Sequence, residues 1–558
     1  MRRRRSGTWT AAALAALPVL VVLAVACGDA GGSAAGHPSD ASTPVRGGTL
    51  TVAFQGEPAT LDPAVAWEIE SWCIERLTYQ TFLTYASEPG QAGTRLVPDL
   101  AVEVPSPENG GISADGRVYT FRLRKGVRFA RPVGREVTAA DFKWSFERMM
   151  SEPRAPAKRF FAGITGARAF LDGQADEISG YEAIDDVTVR ITLERPDAAF
   201  LMAMTMPFTS VMPREWVEKV GEAIGRRPLG TGPYVVSDWR PDQSLTAVRN
   251  EYWSGDDDQW VDEMRFDFAG TPGTALLKME DGDVDVLGDG IPAVDHPRIA
   301  EDPAWRDAVV SAPQIAWYYV FMNVLEEPFT DERVRRAVNH AVDKEKIRKL
   351  LAGQGEVLGQ LYPDGMPGHQ AGARFYEYDP EEARRLLAEA GYPDGFAAPF
   401  FTHAVGPFPA LAESIRADLE AVGIRVDLRQ LPRDGYWDAI GRRDSHAALG
   451  LGDWYQDFPD PSDWIGPLFT DPVDGGANAS FYQNAEVDAL FAQSASELDP
   501  ARRVGLFEQM QELIMADAPV VPLCQPVWNG LHGETTGGVY VHPVWVHTFQ
   551  EYWKTGGE

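Results

Sequence analysis

The stretch Asp115–Phe146, DGRVYTFRLRKGVRFARPVGREVTAADFKWSF, dictates more local structure than any other part of the chain. Asp115-Gly116 is a turn dipeptide, because glycine accepts a positive φ at no steric cost. Beyond it Tyr119, Phe121 and Leu123 alternate with Thr120, Arg122 and Arg124, the period of a strand with one apolar face. Thr138 and Asp141 have capping-box spacing: the hydroxyl accepts an orphan amide and the carboxylate reaches back. Phe142, Phe146 and Met149 continue at the spacing of a buried helix face. A strand, a loop and an amphipathic helix therefore follow one another, as in an α/β core.

A chain of 558 residues, 44% hydrophobic, has material for two or three domains. Its formal net charge of -31 repels phosphate backbones, which disfavours nucleic acid as a partner. The acids are interspersed with apolar and aromatic residues, the pattern of a solvated globular surface. Residues 1–26 read as a secretory signal: Arg2–Arg5 supply the charge, and Ala11–Ala26 an apolar run shorter than the ~20 residues of a membrane span. Ala24-Val25-Ala26-Cys27-Gly28 resembles a bacterial lipobox, with Ala24 where leucine is usual and Leu23 one place earlier. Cys27 is thus the expected lipidation site, and residues 27–46, rich in Gly, Ala, Ser and Pro, a flexible tether to the membrane.

Two other cysteines remain, Cys73 and Cys524, either paired as a disulfide in an oxidising compartment or free and buried. No CxxC or HExxH spacing occurs, and His542 and His547 do not share a helix face, so neither a metal nor a cofactor is expected. Pro228–Tyr234, PLGTGPY, lacks the GK[ST] ending of a phosphate loop. Asp281–Asp285 opens like a calcium loop but places Val286 where glycine is needed and Pro292 where the bidentate glutamate belongs. With no GxSxG elbow or triad order, an enzyme is not expected. Trp317–Asn323 reads as an aromatic strand. Val334, Val338 and Val342 follow at helical spacing with Arg335 and Arg336 outside. Asp379-Pro380-Glu381-Glu382 has the N-cap, the N1 proline and the first-turn acids of a helix start.

These stretches also carry a resemblance. Asp115, Gly116, Tyr119, Thr120, Phe121, Leu123, Arg124, Gly126, Val127 and Phe129, then Thr138, Ala139, Asp141, Phe142, Trp144 and Ser145, are similar to the signature of extracellular solute-binding protein family 5. That family comprises the peptide, oligopeptide and nickel binders of ABC importers. The chain departs at Ala130–Gly134, where the family usually has His-Asp-Gly. Gly47–Ala53, Thr60–Pro63, Tyr181–Val189, Pro228–Tyr234, Pro328–Asp343 and Tyr378–Phe396 resemble further segments in family order, so the resemblance runs from Gly47 to about residue 540.

The resemblance implies the two-lobed α/β fold of periplasmic binding proteins, type 2-like, with an additional subdomain on the first lobe. Residues 47–312 with 523–558 would form lobe I, its subdomain spanning about 82–206, and residues 313–522 lobe II. It implies a monomer, lipid-anchored on the outer face of the cytoplasmic membrane. There it would capture a solute, foremost a peptide, between the lobes and deliver it to an ABC permease whose partner subunits hydrolyse ATP. A nickel chelate or other non-peptide solute is the alternative within the family. An exported lipoprotein hydrolase or a ligand-sensing receptor is the alternative outside it.

Peptide-binding members carry W-x-x-D-(Y/F/N)-x-(D/E)-P, whose first aspartate pairs with the ligand's α-ammonium. In Leu451–Pro461 that position is Asp457, with Trp454 before it. An ammonium moved into a closed cleft must be paired or carry a large desolvation cost. The alternative is that Asp457 caps a turn in an acidic, proline-rich loop. Trp454, Tyr455 and Trp67 are the candidate aromatic walls, in a chain whose sixteen tryptophans serve mostly as core.

Overall fold

The computed structural model describes residues 43–255, 259–470 and 472–556. The signal segment, Cys27 and most of the expected tether lie outside the described residues. The last tether residues are already in a sheet, since Pro44–Val45 pairs antiparallel with Trp553–Thr555.

The strand expected after Asp115-Gly116 forms at Val118–Arg122, burying Tyr119 and Phe121 and exposing Arg122. It pairs with Thr188–Thr192, which pairs in turn with Tyr181–Asp185, giving a three-stranded antiparallel sheet. The helix Ala139–Ser151 begins where the capping box places it. Asp141 accepts hydrogen bonds from the Thr138 amide and hydroxyl, each at 2.9 Å, and from Arg135 at 2.7 Å. Further along this helix Arg148 donates to both oxygens of Asp62, at 2.8 and 2.7 Å, clamping the Thr60–Pro63 segment onto it. Phe82 lies between the rings of Phe121 and Phe142, with centroids 4.4 and 3.9 Å away.

A second sheet has five strands, in the order Val286–Leu287, Thr49–Phe54, Glu263–Phe268, Ser244–Arg249 and Tyr234–Arg240. Thr49–Phe54 is parallel to both of its neighbours and inserts Leu50, Val52 and Phe54 into one core.

The third sheet has seven strands, and the aromatic strand Ala316–Met322 runs through it. All seven of its residues are buried because both faces are covered: Tyr318, Val320 and Met322 enter one core, Trp317, Tyr319 and Phe321 another. Its partner Leu449–Tyr455 pairs Gly450 with Phe321 and Gly452 with Tyr319. The glycines are there to admit the rings. A Cβ on Gly452 would stand 2.5 Å from Tyr319 Cζ, and one on Gly450 2.7 Å from Phe321 Cζ. Gly452→Ala should therefore destabilise the fold by about 1–3 kcal/mol through overpacking, read as a lower urea midpoint at unchanged m-value.

On the other side of the aromatic strand lies Val520–Leu531, twelve residues long, which also pairs with Val309–Pro313. The Gln314 amide donates to Pro526 O at 2.9 Å, and Gln525 Nε2 donates to Gln314 O at 2.9 Å. The link between Val309–Pro313 and Ala316–Met322 thus runs beside the middle of Val520–Leu531.

Asp379 caps its helix as expected, accepting from the Glu381 and Glu382 amides at 3.1 and 3.0 Å. Arg335 differs from expectation: it is buried, its guanidinium donating to Asp517 O at 2.8 Å, Phe329 O at 2.8 Å and Thr330 O at 3.1 Å. Five donors on a planar head suit a site rich in unpaired carbonyls, which hydropathy does not register. The cysteines do not pair. Cys73 and Cys524 are free, buried thiols in two different cores. No helix among the described residues is long and apolar enough to cross a membrane.

Candidate functional site

The alternation of Leu449–Tyr455 decides which face each of its side chains occupies. Leu449 and Leu451 enter one core, and Asp453 and Tyr455 follow on the same face. Trp454 points the opposite way, packs against the core that contains Trp317 and does not line the cavity described below. Tyr455 lines a cavity, and its hydroxyl lies 3.1 Å from that of Tyr318. Burial lifts the Asp453 carboxyl to about 6, and its Oδ1 has no hydrogen-bond partner.

After Tyr455 the chain turns back through Gln456–Pro461 into the helix Ser462–Phe469. Side chains hold this turn: Gln456 Nε2 donates to Pro543 O at 2.7 Å, and Asp460 accepts from the Ser462 amide at 3.0 Å and hydroxyl at 2.6 Å. Arg503 grips both oxygens of Asp460, one at 2.8 Å. The Asp457 amide donates to Asp463 Oδ2 at 2.8 Å.

Asp457 is only 4% exposed, and its carboxylate caps no turn. Instead its Oδ1 accepts from Trp67 Nε1 at 3.1 Å and its Oδ2 from Arg159 at 3.0 Å. The Arg159 guanidinium sits 5.0 Å above the Trp67 ring and 4.4 Å above that of Phe160. Three remote segments meet at one carboxylate. A cavity of about 110 Å³ opens beside it, lined by Trp67, Trp72, Gln314, Tyr455 and Asp457 among others. A larger one of about 520 Å³ adjoins Arg159, Asp197, Asp463 and Arg503.

Burial pushes the Asp457 carboxyl up, and the Arg159 charge pulls it back toward ionisation. Asp463 is driven well above the usual carboxylate range, first by burial and then by the charge on Asp457. Of the two, Asp463 is pushed further toward its neutral form.

Among the described residues no three His, Cys, Asp or Glu side chains gather as a metal site. His542 is held neutral instead: Nδ1 accepts from the Val544 and Trp545 amides at 3.1 Å each, and Nε2 donates to Ala86 O at 3.0 Å. Burial depresses it to about 3. His547 likewise donates to Gly288 O at 2.8 Å.

Of the four residues singled out in the sequence, the structure brings Trp67, Tyr455 and Asp457 to one cavity and leaves Trp454 out. Arg159 and Asp463 were not singled out. Asp463 had a visible signal, a second acid six positions after Asp457 in the same loop. Arg159 had none, because its role depends on a partner 298 residues away.

Remote parts of the chain thus meet at one buried carboxylate beside a cavity. The model of "Bacterial extracellular solute-binding proteins, family 5 Middle" matches residues 95–476, and the chain belongs to this family. It is 30% identical to heme-binding protein A of Haemophilus influenzae over 467 residues, 80% of this chain and 83% of that one. It is 29% identical to di/tripeptide-binding protein 2 of Pseudomonas aeruginosa over 521 residues, 89% of this chain and 96% of that one. Among solved structures, clavulanic acid biosynthesis oligopeptide binding protein 2 superposes with a TM-score of 0.85 at 26% identity, covering 94% of this chain and 99% of that one. The fold is that of the two-lobed α/β periplasmic binding proteins with a subdomain on the first lobe, and members of the family are substrate-binding proteins rather than enzymes.

Proposed function

We propose that the protein is an extracytoplasmic solute-binding lipoprotein that takes a peptide by its α-ammonium at Asp457 and delivers it to an ABC permease. The observation that carries this reading is the buried Asp457 carboxylate, met by Trp67 and Arg159 beside a cavity that Tyr455 also lines. Relatives named for di- and tripeptides and for heme support a solute cleft of this kind. Residues 47–312 with 523–558 form lobe I, with its subdomain near 82–206, and residues 313–522 form lobe II. The hinge is then the paired crossing at Gln314 and Gln525-Pro526, where few dihedrals need change for closure. Closure on ligand would create the surface that a permease recognises. Lipidation at Cys27 would hold the protein at the membrane, where the permease is.

Asp457→Ala is expected to weaken binding of a free-amino-terminus tripeptide at least tenfold, about 1.4 kcal/mol. Titration calorimetry reads this directly, and an unchanged Kd overturns the assignment.

A further inference from the structure

The seat that the proposed function gives to a ligand's ammonium is already taken by a side chain of the protein. Arg159 donates to Asp457 Oδ2 at 3.0 Å, the position an ammonium would need. This guanidinium is not built into the core. Its side chain is 46% exposed, and apart from Asp457 it rests on the faces of Trp67 and Phe160. A planar cation resting on aromatic faces keeps much of its stabilisation if it slides, because cation–π attraction tolerates displacement better than a hydrogen bond.

A second acceptor lies within the same neighbourhood. Arg159 and Asp463 both line the cavity of about 520 Å³. Asp463 is 2% exposed, and no N–H or O–H of another residue reaches its Oδ1. Asp197, on the wall of the same cavity, is a third carboxyl there, bound at one oxygen by the Ala199 amide at 3.0 Å. The cavity thus offers room and acceptors for a displaced guanidinium.

We propose that Arg159 is a displaceable internal cation, a specificity-determining residue that competes with ligand for Asp457 and moves toward Asp463 and Asp197 when a ligand ammonium arrives. This rests on the reading of Asp457 as the ammonium partner. The ligands so selected are compounds with a primary ammonium: compact, strongly hydrated and able to hydrogen-bond Asp457 from within the cleft. An amine blocked by acylation has nothing with which to displace the guanidinium. Affinity for the amine is lowered by the cost of moving Arg159, and selectivity against uncharged ligands is raised by it.

The test is calorimetry with Ala-Ala-Ala and its N-acetyl derivative on the wild type, Arg159→Gln and Arg159→Lys, with thermal melts to establish that each variant is folded. Arg159→Gln should bind Ala-Ala-Ala about tenfold or more tighter than wild type, with no gain for the acetylated peptide. Arg159→Lys, which keeps a competing cation, should gain much less than Arg159→Gln. If wild type prefers the free amine while Arg159→Gln binds it no tighter or more weakly, the proposal is overturned and the Asp457 assignment stands. If neither peptide binds, or both bind wild type equally, the ammonium reading of Asp457 fails and takes this proposal with it. Should Arg159→Gln not fold, the Arg159→Gln/Asp457→Asn double variant removes both charges. It should lose the preference for the free amine, and retention of that preference overturns both assignments.

Discussion

Arg503→Ala is expected to lower the unfolding free energy by about 3–5 kcal/mol, because it strands the Asp460 carboxylate in the interior. The Asp460 and Arg503 side chains are 1% and 11% exposed, and the guanidinium meets both carboxylate oxygens. Removing one partner of such a pair is far worse than removing both. The Asp460→Ala/Arg503→Ala double variant should therefore lose less than the sum of the two single variants, and urea titrations of all four proteins close the cycle. The position matters for binding as well. Asp460 fixes the turn that carries Asp457, so Arg503→Ala should weaken peptide binding even under conditions where the protein remains folded. Full affinity in a destabilised but folded Arg503→Ala protein would show that the turn holds its shape without this pair.

Phe82→Ala should cost a similar amount, about 3–5 kcal/mol, for a different reason. The ring fills the space between Phe121 and Phe142, one from the strand and one from the helix of the stretch that begins at Asp115. Its removal leaves a cavity between two elements and forfeits two stacking contacts, each worth about 0.5–1.5 kcal/mol beyond area burial. Phe82→Leu, which keeps most of the volume, should lose clearly less. Equal losses for the two substitutions would mean that stacking, not volume, dominates.

Local rules were legible in the sequence where the partner is a few residues away. Thr138 and Asp141, Asp379 and the Glu381 amide, and the alternation at Tyr119 and Phe121 all involve neighbours in the chain, and all form as expected. What the sequence does not show is contact between remote segments. Trp67 and Asp457 are 390 positions apart, and nothing local to either residue announces their hydrogen bond. Trp454 illustrates the other limit. It stands in a family motif, yet strand alternation turns it away from Tyr455, and parity along the strand decides which face it occupies. The burial of Arg335 was hidden for a third reason, since charge suggests solvent and says nothing of the carbonyls that one helix end and a neighbouring loop leave unpaired.

The glycine notches at 450 and 452 have a consequence for how a family like this changes its ligands. With Tyr319 and Phe321 lodged in them, the strand cannot creep along its neighbour by one residue without driving a ring into a side chain or leaving a hole. The register of Leu449–Tyr455, and with it the start of the turn that carries Asp457, is set from inside the hydrophobic interior. With Asp457 as the proposed ammonium partner, substitutions in Gln456–Pro461 or at Arg159 would change what is recognised while the place of recognition stays fixed. Chemistry at this cleft is free to drift because its address is not.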